Sequence, residues 1–488
     1  MRPAHWAAAI AIAMASLSPV SEALAHAEAP PGETRIPDEA LNTAAQLRET
    51  ALASDLGYRI TESLTTEVGP RMAGSEADAR AVAWAEAKFR ELGFDRVWLE
   101  PVTFPKWVRR SERAAVLGPH AQPLHLTALG GSPGGTIEAE VVRFADLTAL
   151  EAVPAGSLDG RIAFVDYRME RHRDGSGYGP ASRLRSRGPS AAIRAGASGF
   201  LMRSAGTDSH RNPHTGITRF DEGLVPVPSA ALSVPDAEQL TRLLKIGPQR
   251  VQVAIDSGWE GETTSYNVIG EITGSEAPGT GGSANREQVV LIGGHLDSWD
   301  LGTGAVDDAA GVGITMAAGA LIGRMPRRPA RSIRVVAYAN EEQGLYGGKE
   351  YARRHAGQLD RHQIAAESDF GAGRIYAYSS SAPEYAMGAD RQIAEALAPL
   401  GIEHAPGIGG PGPDIRPFVE KGLAWARLAQ DGTDYFDLHH TPDDTFDKID
   451  PAAMAQNVAA YAVFAYLAAS AEGDFGSRLV DPGQPAQP

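Results

Sequence analysis

The chain has no cysteine. No disulfide can hold it, so stability must come from the size of its core, and 488 residues can bury a large one. Positive charge is also scarce. Lysine and arginine number 45 against 61 aspartates and glutamates, a formal net charge of −16. That balance argues against nucleic acid or an anionic membrane surface as partner, and ordinary solubility is its simplest account. Past the N-terminal leader, no stretch reads as long and apolar enough to span a membrane. No GxSxG nucleophile elbow accompanies the histidines, which weakens a serine-hydrolase reading. No internal repeat is found.

What is present begins with a leader. Met1-Arg2, an apolar stretch from Trp6 to Val20 and Ala23-Leu24-Ala25 read as a secretory signal peptide over residues 1–25, cut after Ala25. The expected location is therefore secreted or periplasmic, without a stable membrane anchor; an uncleaved anchor ranks second. Residues from His26 to Thr43 read as a poorly ordered lead-in, and Leu47 to Leu64 as one amphipathic helix. Ser75-Glu76-Ala77-Asp78 caps a helix running to Leu92 and stopped by Gly93, with a strand from Val97. From Trp107 to Ile255 the pattern is short strands between Gly/Pro turns. Arg168 to Arg187 reads as a solvated loop over the mouth of a site, with contact to a substrate carboxylate as the second choice. Asp450-Pro451 starts a closing helix that continues to Leu467, and the tail from Gly473 reads as disordered.

The chemistry sits at four points. The β-branched run Val289-Val290-Leu291-Ile292 reads as a buried parallel strand, ended by Gly293-Gly294, so that His295 and Asp297 leave its C-terminal end. Asp307 and Asp308 follow on a glycine-rich loop, before an Ala/Gly-rich helical run from Gly311 to Leu321. A second strand, Ser332 to Ala339, ends in Asn340-Glu341-Glu342-Gln343-Gly344. Strand alternation would send one glutamate toward a metal and its neighbour toward a substrate. Glu367-Ser368-Asp369-Phe370-Gly371 and His439-His440-Thr441-Pro442-Asp443-Asp444-Thr445 complete the set. Each alone is explained by surface polarity or helix capping. Four in order, each after a strand-like run, suit a zinc site of histidine and carboxylates.

The order HxD, GAxDDxAG, NEEQGLxGG, ESDxG and HHTxxDT resembles the co-catalytic di-zinc exopeptidases, an aminopeptidase family, and within it the carboxypeptidase Q (plasma glutamate carboxypeptidase) branch. The resemblance covers most of the chain after the leader and includes Gly69-Pro70-Arg71-Met72-Ala73-Gly74-Ser75, to which no chemistry is assigned. It implies two zinc ions per chain. His295 and Asp369 would bind one, Glu342 and His440 the other, and Asp307 would bridge both. Glu341 would be the general base, and Asp297 would hold the tautomer of His295 by accepting its second N–H. His440 is preferred to His439, which would line the pocket. A cis bond between Asp307 and Asp308 is implied too.

The same resemblance implies an α/β fold, a three-layer mixed sheet flanked by helices, with an inserted protease-associated α/β domain. The expected divisions are residues 26–106 as the N-terminal part of the catalytic domain, 107–256 as the insert, 257–472 as the di-zinc domain and 473–488 as the tail. The implied activity is aminopeptidase or dipeptidase action on short peptides with a free N-terminus, and the implied assembly is a homodimer. Three other readings compete: a glutamate-type carboxypeptidase, which needs a basic pocket; a glutaminyl-cyclase-type transferase, which works with one zinc; and a non-catalytic ectodomain like the transferrin receptor, which lacks the ligands present here.

Overall fold

The computed structural model describes residues 32–275 and 283–478. The expected leader over residues 1–25 lies outside them, as do residues 479–488. The chain opens with α1 (Asp38–Leu52), α2 (Leu56–Ser63) and α3 (Glu76–Glu91). α1 starts inside the expected lead-in because Ala40, Ala44, Leu47 and Ala51 form a buried stripe. The expected single helix from Leu47 to Leu64 is broken at Ser54, whose hydroxyl accepts the Leu56 N–H at 3.2 Å and so competes with the helical bond. α3 follows the sequence pattern: Ser75 Oγ accepts the Asp78 N–H at 3.1 Å, and Gly93 turns left-handed at φ 84°.

The next region departs most from expectation. β1 (Arg96–Leu117) is 22 residues long, not one of a set of short strands. After it come β2 (Gln122–Leu124), β3 (Leu126–Ala128), β4 (Gly135–Phe144), α4 (Leu147–Glu151) and β5 (Ile162–Val165). α5 (Tyr178–Arg194) takes up the second half of the segment read as a solvated loop, because Ala181, Leu184 and Ala192 bury one face. Then follow β6 (Gly199–Arg203), β7 (Ser229–Leu232), α6 (Val234–Ile246) and β8 (Arg250–Ile272). β8, 23 residues long, pairs antiparallel with β1 from Arg96↔Glu271 to Leu117↔Arg250. The divisions at 106/107 and 256/257 fall opposite one another in this ribbon, where Trp107 faces Trp259 and Arg109 faces Ser257.

The last part supplies α7 (Ser283–Arg286), β9 (Val289–His295), α8 (Ala310–Gly323), β10 (Ser332–Tyr338), α9 (Tyr346–Arg354), β11 (His362–Glu367) and β12 (Ile375–Ser380). It ends with α10 (Met387–Leu397), β13 (Glu403–His404), α11 (Arg416–Val419), β14 (Trp425–Gln430), α12 (Tyr435–Leu438) and α13 (Pro451–Ser470). Among the described residues the strands form a continuous mixed sheet ordered β13-β12-β14-β11-β9-β10-β8-β4-β5-β6-β7-β3, with β1 along β8 and β2 along β1. β10, β9, β11 and β14 run parallel, so their C-terminal ends share one edge.

Alternation splits the central strands between two cores. Val290, Ile292, Val335, Ala337, Ile364 and Ala366 pack with α1, α2, α8 and α13. Leu291, Val336 and Ala365 pack on the other face with Tyr351 and Phe418 of α9 and α11. A mixed sheet flanked by helices on both faces is therefore present. α8 is buried all round and reads Ala/Gly because backbones meet there: a Cβ on Gly313 would lie 2.7 Å from Gly57 O. By length and composition Ala305–Gly323 and Pro451–Ser470 could each cross a membrane, against the sequence reading, but both lie inside the core.

The tail departs from expectation as well. Phe475 is fully buried in the main core and Ser477 is buried beside it, because Arg331 donates to Ala471 O at 2.5 Å and pins the chain there. Phe475→Ala should destabilise the protein by about 3–5 kcal/mol, the range for emptying a buried phenylalanine site. A thermal midpoint unchanged from wild type would count against this packing.

Candidate active site

At the shared edge, β9 delivers His295, which is 1 % exposed. Gly294 precedes it because a side chain has no room: a Cβ there would lie 2.4 Å from Asp308 Oδ2. The Asp307–Asp308 peptide is cis, as the resemblance implied. Asp308 is spent on the backbone, its two oxygens accepting the N–H groups of His295 and Gly311 at 3.0 Å each. Asp307 is turned the other way and stands between two imidazoles. Its Oδ1 lies 2.9 Å from His295 Nε2 and its Oδ2 3.2 Å from His440 Nε2. Asp369 Oδ1 is 3.6 Å from His295 Nε2, and Glu342 Oε2 is 2.9 Å from His440 Nε2. The five expected ligands are thus brought together in two groups that share Asp307.

The histidine tautomers decide what such a cluster needs. His295 Nδ1 faces the carbonyl of Asp297 at 3.0 Å, and His440 Nδ1 faces the carbonyl of Thr215 at 3.2 Å. A carbonyl only accepts, so each Nδ1 carries the hydrogen. Each Nε2 then aims a lone pair at carboxylate oxygens, and either a proton or a cation must lie between them. Glu342 Oε1 is buried without a hydrogen-bond partner. An imidazole with carboxylates around each point is the nitrogen–oxygen donor set that zinc takes, so the residues fit divalent cations.

Two expectations need correction. The Asp297 carboxylate does not hold His295: its Oδ1 is 3.7 Å from Nδ1, and the residue's own main-chain carbonyl takes that N–H. The carboxylate instead accepts the Glu341 N–H at 3.0 Å, fixing the turn that carries the glutamates. Strand alternation does not separate Glu341 from Glu342 either. β10 ends at Tyr338, and Asn340 turns left-handed at φ 50°, with its Oδ1 accepting the Gln343 N–H at 3.2 Å. Both glutamates lie on that turn. His440 itself sits at φ 62°, a region that side chains rarely occupy and that is concentrated at functional sites. His439 stacks on His440 with ring centroids 3.4 Å apart and lines the cleft, as expected.

Burial comes first in setting the electrostatics, and the crowding of charges follows. Burial, then Asp369, Glu342 and Asp307 against the opposition of His295, pushes the Glu341 carboxyl well above its ordinary range. Burial and Asp307, opposed by His440, push Glu342 up to about 7. Burial disfavours charged His295 and His440, but the acids around them outweigh it and raise both well above the usual histidine value. Burial would raise Asp307 too, yet its bonds to the two imidazoles hold it well below the carboxylate range. The cluster opens into a cleft of about 760 Å³ lined by Tyr178, Phe370, Tyr435, Phe436 and the Gly409–Pro413 loop.

Three bracing groups escaped the sequence reading. Asp444, in the HHTxxDT motif, accepts the N–H of Val306 at 2.7 Å and of Asp307 at 3.2 Å. Thr215 grips His440 from a distant part of the chain, and no local pattern marks it. Arg71, in the GPRxxGS stretch, is completely buried and donates to the carbonyls of Leu296 at 2.5 Å, Thr303 at 2.6 Å and Gly304 at 3.0 Å. It therefore clamps both ends of the loop between His295 and Asp307.

Residues 267–465 match the model of Peptidase family M28. Over 421 residues, 86 % of each chain, the sequence is 32 % identical to carboxypeptidase Q of Homo sapiens. Among solved structures, a Peptidase M28 precursor from Shewanella amazonensis SB2B superimposes with a TM-score of 0.86 at 48 % identity, covering 91 % of this chain and 99 % of that one. An aminopeptidase from Aneurinibacillus sp. strain AM-1 shares the fold, with a TM-score of 0.61 at 20 % identity over 90 % and 98 % of the two chains.

Arg71→Met would orphan three buried carbonyls, each worth about 1–3 kcal/mol. The expected result is a thermal midpoint lowered by many degrees. A variant as stable as wild type would show that the loop does not depend on the clamp.

Proposed function

The chain belongs to peptidase family M28, and from that premise we propose that it is an exported di-zinc exopeptidase, an aminopeptidase or dipeptidase acting on short peptides with a free N-terminus. The observation that carries this reading is the Asp307 carboxylate set between two Nε2 lone pairs, with Glu341 in the same cleft. His295, Asp307 and Asp369 would hold one zinc, and Asp307, Glu342 and His440 the second. When bound, such a pair supplies Lewis acidity, acidifying water toward a pKa of about 7 and polarising the scissile carbonyl.

The rest falls to the protein. Glu341 takes a proton from the attacking water and returns it to the leaving amine nitrogen, the general acid–base role. Asp297 positions Glu341 through the main-chain N–H. The carboxylate oxygens of Glu341, Glu342 and Asp369 on the cleft wall offer acceptors to a free α-amine, the group that exopeptidase action from the N-terminus must recognise. Tyr178, Phe370, Tyr435 and Phe436 give the cleft its apolar body. Residues 107–256 form the inserted protease-associated unit in this reading, and the leader directs export.

Glu341→Ala should retain two zinc ions per chain while kcat on free-amine dipeptides falls by about 100- to 10,000-fold. Metal analysis and initial rates on the two proteins test this together; a metal-replete wild type inert on every peptide would end the peptidase reading. Chelation should abolish activity and lower the thermal midpoint, since a ligand bound to the folded state alone stabilises it. Added zinc should restore both, and a midpoint indifferent to chelator would contradict a buried metal pair.

A further inference from the structure

Four guanidinium groups, those of Arg185, Arg219, Arg416 and Arg427, line the same cleft as the acidic cluster. Among the described residues none of them has a carboxylate within 4.0 Å. Acids are not lacking nearby. Around the cleft, Arg171 pairs with Asp434 at 2.6 Å, and Arg173 with Asp431 at 2.9 Å. Those arginines are paired with acids, whereas the four on the cleft wall are not.

The four are not equivalent. Arg185 is buried and donates to Tyr178 OH at 2.7 Å, and Arg427 lies over the Phe370 ring at 5.5 Å. Arg416 stands at the end of the Gly409–Pro413 loop. Arg219 is exposed, makes no hydrogen bond among the described residues, and reaches from residues 107–256 onto the catalytic turn. A Cβ on Gly344 would lie 2.7 Å from its Nη2, and the Gly344 N–H closes that turn onto Glu341 O at 2.9 Å. The missing side chain at Gly344 leaves the room that the guanidinium occupies. A planar cation with free donors beside the reacting groups suits a carboxylate.

Resting on the exopeptidase reading, we propose that Arg219 binds the carboxylate of the residue on the leaving side of the scissile bond. The acidic wall would then read the amine end of a substrate and Arg219 the acid end. Where that carboxylate is the main-chain one, the pair of contacts would select dipeptides, since two residues span at most about 7 Å when extended. The carboxylate could belong to the main chain or to an acidic side chain.

The test compares kcat/KM for alanyl-alanine, its C-terminal amide, alanyl-glutamate amide and alanyl-glutamine amide, on the zinc-loaded full chain. Wild type should favour the free acid over its amide, or the glutamate amide over the glutamine amide, by about 10- to 100-fold, mostly through KM. The first preference identifies the main-chain carboxylate and the second the side chain. In Arg219→Met that ratio should fall toward one, and Arg219→Lys should recover part of it. Wild type cleaving all four equally would overturn the proposal while leaving the exopeptidase reading intact. Failure to cleave any would overturn the exopeptidase reading and this proposal with it. Proportional loss on every substrate in Arg219→Met, or a ratio erased only by Arg416→Met, would also overturn the assignment.

Discussion

One carboxylate, Asp307, is held between two imidazoles that face it with Nε2, and most of the surrounding structure serves to keep it there. A buried ionised carboxylate is expensive unless paired. Here Asp307, Glu342 and Asp369, with Glu341 close by, crowd into one buried spot. Two histidines alone do not offset that charge, and burial together with the neighbouring acids raises the Glu341 and Glu342 carboxyls. The fold tolerates this arrangement because other groups brace it from outside. Asp308 and Asp444 spend their oxygens on backbone N–H groups, and Arg71 spends its donors on carbonyls. Charged side chains are used here as rigid connectors of main chain, which fixes the loops that carry the candidate ligands without adding further free charge to the cleft.

The parallel strands make this convergence geometrically simple. β10, β9 and β11 lie in register with Tyr338 opposite His295 and Glu367 opposite Gly293, so three loops leave one edge within a strand spacing of each other. Close approach then demands glycine where loops and helix meet. Gly311 has Ser368 O and both Asp308 oxygens where a side chain would be.

Much of this was legible in the sequence. The apolar run before His295, the acid-bearing loops after strands and the Ser75 cap each depend on contacts a few residues long, and local pattern carries them. What escaped depends on distance or on small turns of the chain. Whether the Asp297 carboxylate or its carbonyl meets His295 is a matter of under 1 Å. The left-handed Asn340 breaks the alternation argument for Glu341 and Glu342 in one residue. The long β1/β8 ribbon reads as short strands because its register slips between Pro105 and Trp107 and between Arg109 and Ser111, which interrupts the period of two. The burial of Phe475 is not legible locally, because a Pro/Gly-rich neighbourhood resembles disorder when its packing partners lie far away in the chain.

The placement of Thr215 bears on what residues 107–256 do. Its carbonyl takes the Nδ1 hydrogen of His440 and its N–H donates to His440 O at 3.1 Å, gripping a candidate ligand from both sides. Arg109, in the middle of β1, pairs with Asp300 at 2.6 Å on the loop that leads to Asp307. Trp299 on that loop packs so closely against Gly130 that a Cβ there would overlap its ring. The segment therefore sets the tautomer and orientation of His440 and steadies the approach to Asp307. It is part of the site's construction rather than a cover laid over it. A site completed by a distant segment is assembled only when both parts have folded and docked, which ties the chemistry to the whole molecule and not to the parallel strands alone.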